Sequence, residues 1–139
     1  MTEMTERLGV VAISLAEARI WTHGMLPHTQ PHSVHISELH LLRHRRHEAH
    51  YSGREDMYDD PDFYEDIVES IKDSQEILLF GHGKGKASAM LKFCQYVERK
   101  HPEIAKRIVD ALDADLADLT NDQILDHARK WQLQELQQS

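Results

Sequence analysis

Apolar residues along this chain fall into short runs and helical stripes, separated by polar stretches. In "LGVVAISLAEARIW" two β-favouring runs, Gly9 to Ser14 and Ala18 to Trp21, are parted by a few small or polar residues, the pattern of a β-hairpin. The turn-rich "THGMLPHTQPH" follows. In "SVHISELHL" the apolar positions Val34 and Ile36, then Leu39 and Leu41, alternate with polar ones, which predicts a half-buried third strand. From Arg43 to Asp60 the periodicity stops. That is long for a structureless connection, and such loops are functional or disordered. Asp60 is then placed as an N-cap ahead of Pro61 at the first helical position, and Tyr64, Ile67, Val68 and Ile71 follow at i, i+3, i+4, i+7 as an amphipathic helix.

"EILLF" is an apolar run ending at Gly81, as expected of a strand buried on both faces. The next helix is predicted from near Gly85, with Ala87, Met90, Leu91, Cys94 and Val97 inward, ending before His101 and Pro102. "RIVDALDAD" fits either a strand or a helix by pattern, and its short apolar pieces and turn-forming aspartates favour a strand. Thr120 with Gln123 makes a capping box, and Ile124, Leu125, Ala128 and Trp131 form the apolar face of a last helix. The order hairpin, strand, loop, helix, strand, helix, strand, helix predicts an α/β fold, a mixed five-stranded sheet with helices on its faces.

Length narrows this to one domain spanning 1–139, enough chain to bury a core without disulfides. With 40% hydrophobic and 29% charged residues it falls among soluble globular proteins. No apolar run approaches the length of a membrane span, and "MTEMTERLG" is too polar for a secretory signal, so no membrane is expected and a cytoplasmic location is. The single Cys94 excludes an internal disulfide and is expected as a buried small hydrophobe rather than a nucleophile.

Charge changes the picture more. The net value of −8 hides a blocky pattern. Residues 43–54, "RHRRHEAHYSGR", carry four arginines against one glutamate, and residues 55–76 carry ten acids against Lys72. Residues 84–107 return to seven basic against two acidic, and Asp110 to Asp126 holds six aspartates with no lysine or arginine. Such a chain can present a local basic patch on an acidic body.

"GHGKGKAS" invites a nucleotide-binding reading. A phosphate-binding loop of the Walker type needs four residues between its first glycine and the Gly-Lys pair, then Ser or Thr. Gly81 and Gly85 have three between them, and Ala87 follows Lys86, so the spacing fails. The dinucleotide pattern fails too, because Lys86 stands three after Gly83. What survives is a general anion site at Gly83, Lys84, Gly85 and Lys86, set against a plain tight turn from strand to helix.

Eight of eleven histidines fall between His23 and His50, and His40, His44 and His47 would align on a helix. No cysteine partner or fixed ligand spacing accompanies them, so no metal is assigned. With Arg43, Arg45, Arg46 and Arg54, the imidazoles of His44 and His47 can instead face phosphates when protonated, the plain alternative being a solvated basic loop. Clustered acids at Asp56, Asp59, Asp60 and Asp62, and at Asp113, Asp115 and Asp118, could hold magnesium for phosphodiester hydrolysis, but read as a helix cap and a turn.

Three stretches together, "GVVAISLAEARIW", "ILLFGHGKGKASAMLKF" and "HPEIAKRIVDALDADLADLTNDQILDHARKW", resemble the middle domain of archaeal and eukaryotic class-1 peptide-chain release factors and Pelota, and especially its bacterial relatives of the translational machinery type. The resemblance spans nearly the whole chain, and its most specific parts are Glu17-Ala18-Arg19, "LLFGHGKGKAS" and "LTNDQILDHAR". It implies a ribonuclease-H-like sheet topology and work at the ribosome. The release factors carry a Gly-Gly-Gln tripeptide in the long loop after the early strands; here that loop holds Gly53 alone and no glutamine. Neither the decoding domain nor the partner-binding domain of those factors has a counterpart, so termination at a stop codon is not expected.

The function expected is therefore a non-catalytic factor associated with the ribosome or tRNA, gripping RNA phosphates through Arg43, His44, Arg45, Arg46, His47 and Arg54, without cofactor. The alternatives are a metal-dependent hydrolase or nuclease using the clustered His and Asp residues, and an interaction module working as a homodimer.

Overall fold

A computed structural model describes residues 8–14, 17–36, 61–81 and 89–138. Its strands are β1 (Leu8–Ile13), β2 (Glu17–Trp21), β3 (His32–His35), β4 (Glu76–Gly81) and β5 (Ile108–Asp113). The helices are α1 (Pro61–Ile71), α2 (Ala89–Lys100), the short α3 (Pro102–Ala105) and α4 (Asn121–Gln138), with a 3₁₀ turn at Leu116–Asp118 before α4.

The strands form one sheet in the order β3-β2-β1-β4-β5. β1 pairs antiparallel with β2 and β2 with β3, whereas β1 with β4 and β4 with β5 are parallel. Only β2 runs against the other four, which is the expected ribonuclease-H-like arrangement. The hairpin, the buried "EILLF" strand and the strand at "RIVDALDAD" all form as predicted; of the third strand, Val34 is buried in β3 and Ile36 just beyond it, while Leu39 and Leu41 lie outside the described residues.

Alternation along the strands divides the core into two layers. Val11 and Ile13 of β1, Ala18 and Ile20 of β2 and Ile77 and Leu79 of β4 face α1 and α2, where they meet Phe63, Tyr64, Ile67, Ile71, Phe93 and Val97. Leu8, Val10 and Ala12, with Trp21, Leu78 and Phe80, face α4 and meet Ile124, Leu125 and Ala128. Because β1 and β4 are buried on both sides, they read as continuous apolar runs rather than alternating ones. On β5 the ladder slips between Ile77 and Leu78, so Ile108 packs in the first layer while Leu112 packs in the second.

Two expectations need correction. In α2 the inward face is Ala89, Phe93, Tyr96 and Val97, and Leu91 is 41% exposed; Met90 and Cys94 pack only partly buried against the core. The helix is turned by aromatic packing on α1, with Tyr64 5.9 Å from Phe93 and 5.0 Å from Tyr96 between ring centroids. Cys94 is accordingly half-buried, not buried. The chain after α2 also makes one more helical turn, α3, started by Pro102 at its first position. No described helix is long and apolar enough to cross a membrane.

Candidate functional site

Four strands run the same way, so β1, β3, β4 and β5 all end on one rim of the sheet. The register aligns Ile13 with Gly81 and Gly81 with Asp113, and the backbone N–H of Ala114 donates to the Gly81 carbonyl at 2.7 Å, carrying the β4–β5 pairing one residue further. Chain order reverses between β1 and β4, with β2 and β3 on one side and β5 on the other. In open α/β sheets, ligands bind outside the carboxyl ends of the strands at such a point. Gly81 allows close packing there, since a Cβ on it would lie 2.5 Å from the Met90 Cβ of α2.

Both segments predicted to bind phosphate connect to this rim. Gly83, Lys84, Gly85 and Lys86 follow β4, and Arg43, His44, Arg45, Arg46, His47 and Arg54 follow β3; both sets lie outside the described residues. His40 and the acids Asp56, Asp59 and Asp60 lie outside them as well. Among the described residues, no three of His, Cys, Asp and Glu gather as metal ligands. Asp115 and Asp118 do form the expected turn, whereas Asp113 ends β5: Asp115 is the N-cap of the 3₁₀ turn, its Oδ1 accepting from the Ala117 N–H at 3.2 Å.

The motifs that carry the family resemblance hold the structure together. Arg19 of the hairpin donates from Nη1 to Asn121 Oδ1 at 2.8 Å and from Nη2 to the Leu116 carbonyl at 3.4 Å, tying β2 to the start of α4. The capping box closes reciprocally, Thr120 N–H to Gln123 Oε1 at 2.8 Å and Gln123 N–H to Thr120 Oγ1 at 3.2 Å. Asp122 accepts from the His28 backbone N–H at 2.8 Å, and Arg129 donates to the Met25 carbonyl, so α4 also pins the β2–β3 connection. Sequence reading found the capping box but missed the clamps of Arg19, Asp122 and Arg129, whose partners lie about a hundred positions away.

A titratable cluster was also missed. Glu65 on α1 accepts from the Tyr96 hydroxyl of α2, and His101 Nε2 lies 2.7 Å from the same carboxylate oxygen. His101 Nδ1 is 3.5 Å from Glu103. The bond from Tyr96, then that from His101, lowers the Glu65 pKa, and bonding to Glu65 raises that of His101. Burial, reinforced by the Glu65 carboxylate, pushes the Tyr96 phenol up to about 12. The cluster bolts α1 to the end of α2 and holds Tyr96 in its protonated form. Nearby, burial raises the Cys94 thiol, which disfavours the thiolate a nucleophile needs.

No family model and no curated protein matches the chain. Two solved structures are similar to it: the Pelota protein of Thermoplasma acidophilum, at 17% identity and a TM-score of 0.46, and Pelota of Archaeoglobus fulgidus, at 14% identity and a TM-score of 0.46. The first similarity covers 78% of this chain and the second 96%. The chain spans 28% of the length of the one and 38% of the other.

Proposed function

We propose that this chain is a translation-related factor that associates with the ribosome or tRNA, holding RNA phosphates through the arginine- and histidine-rich segment 43–54 and the glycine-lysine segment 83–86, without chemistry of its own. The observation that carries this reading is topological. β3 and β4 are parallel and both end on the rim where α/β sheets take ligands, and the two basic segments are the stretches that follow them in the chain.

Cosedimentation with ribosomes at low and moderate salt tests the proposal. Four arginine-phosphate contacts on single-stranded RNA give a slope of about −3 in log K against log salt. Replacing Arg43, Arg45, Arg46 and Arg54 by glutamine is expected to abolish pelleting at moderate salt and to flatten that slope. Failure to pellet at any salt, or pelleting that the four replacements leave unchanged, overturns it.

A further inference from the structure

A second concave surface is lined by described residues of β5, the 3₁₀ turn and α4. Between the carboxyl end of β5, the 3₁₀ turn and the middle of α4 lies a cleft of about 610 Å³. Phe80, Leu112, Leu119 and Trp131 give it an apolar floor. Trp131 donates its indole N–H to Asp110 Oδ2 at 2.9 Å, which satisfies its one polar group and fixes the ring as a wall. Asp113, Asp115 and Asp118 line the side formed by β5 and the turn. Lys130 lines the α4 side, its ammonium 3.0 Å from Asp126. The charged lining is three aspartates against Lys130, with His127 beside it, so the opening is predominantly acidic among the described residues.

An apolar floor under an acidic rim selects its ligand by two terms. The floor removes a large apolar side chain from water, and the rim attracts cationic neighbours of that side chain while repelling phosphates. A second copy of the chain would bring its own aspartate-rich stretch against this one. We infer that the cleft between β5 and α4 docks a basic polypeptide segment, one large apolar side chain entering over Trp131 with flanking lysines or arginines against Asp113, Asp115 and Asp118.

The two tryptophans make this measurable in the intact chain. Trp21 is only 2% exposed and bonded to the Thr29 carbonyl, so it gives a constant background, and Trp131 reports on the cleft. The probe is a synthetic peptide with a central phenylalanine between lysines and arginines; its controls are the same peptide with serine for phenylalanine, a glutamate-flanked version, and a single-stranded RNA oligonucleotide. The basic phenylalanine peptide is expected to shift Trp131 emission saturably, with binding at least tenfold weaker for the serine peptide, as the loss of one buried aromatic side chain requires. Asp115→Asn combined with Asp118→Asn keeps a side-chain cap on the 3₁₀ turn and is expected to weaken binding about tenfold. Lys130→Gln is expected to tighten it two- to threefold at low salt, a gain that no folding defect produces. No emission change with the basic peptide overturns the proposal, as does equal binding of the serine peptide or indifference to both sets of substitutions. An equal shift with RNA assigns the cleft to nucleic acid, and a concentration-dependent shift with doubled mass in the absence of peptide assigns it to a second copy; either also overturns it.

Discussion

At the scale of single residues, the Glu65, Tyr96 and His101 cluster sets how stability depends on pH. Glu65 has its pKa lowered in the folded state, so its contribution is fully present above its ordinary value of 4.5 and is lost as pH falls through the folded value. His101 has its pKa raised, so its contribution is fully present below its ordinary 6.5 and is lost as pH rises through the folded value. The pair therefore contributes most between pH 4.5 and 6.5. Glu65 is 46% exposed and His101 25%, so solvent holds the pair to below about 1 kcal/mol. Urea denaturation at pH 5.5 and 8.5 is expected to show Glu65→Gln losing stability mainly at the lower pH, with a flatter profile than the parent. Tyr96→Phe, which removes the donor to Glu65, is expected to cost about 1 kcal/mol at both. Parallel profiles for the parent and Glu65→Gln would show that the contact has no energetic weight.

At the scale of elements, Gly81 sets how closely α2 can approach β4. Gly81→Ala places a methyl group 2.5 Å from the Met90 Cβ, so helix or strand must move, at about 1–3 kcal/mol. Met90→Gly removes the opposing atoms, and in a double-mutant cycle the pair is expected to cost less than the sum of the single changes. Thermal melts of the four proteins measure this, and strict additivity would show that the two residues do not collide. Element type was legible wherever the local pattern was strong: the stripe Tyr64, Ile67, Val68, Ile71 gave α1, the run "EILLF" gave β4, and Thr120 with Gln123 marked the start of α4. The rotation of α2 was not legible. Counting from Gly85 points Leu91 inward, whereas contact with Tyr64 on another helix selects Phe93 and Tyr96. α3 has four residues, too few for any periodicity to register.

At the scale of the whole molecule, β4 belongs to both core layers at once, with Leu79 on one side and Leu78 on the other. The layers therefore cannot open independently. Leu78→Ala and Leu79→Ala are each expected to cost about 2–5 kcal/mol, and each variant should still unfold in one transition with tryptophan fluorescence and far-ultraviolet circular dichroism coinciding. Transitions that separate in either variant would show two cooperative units instead of one. The layer order was readable from the sequence because each strand announced itself. The long-range clamps were not, since Arg107 of the β5 approach reaches the carbonyl of Lys72, Arg19 reaches Asn121 Oδ1 and Arg129 reaches the Met25 carbonyl. An arginine in a sequence carries no mark of which distant carbonyl it will meet. The arginines and histidines of 43–54 were legible as composition, whereas the direction of β3, which sets the rim at which that strand ends, is something pattern alone does not specify.

The clasp between Arg19 and Asn121 also has a consequence in time. Its two residues are 102 positions apart, and at roughly 5–20 residues per second of synthesis the first waits on the order of 5–20 s for the second to be made. Through that interval Val10, Ala12 and Trp21 have no α4 to cover them. The opening hairpin is thus born with one greasy side uncovered, and a newly made chain is most prone to sticking to its neighbours in the seconds before its last helix arrives.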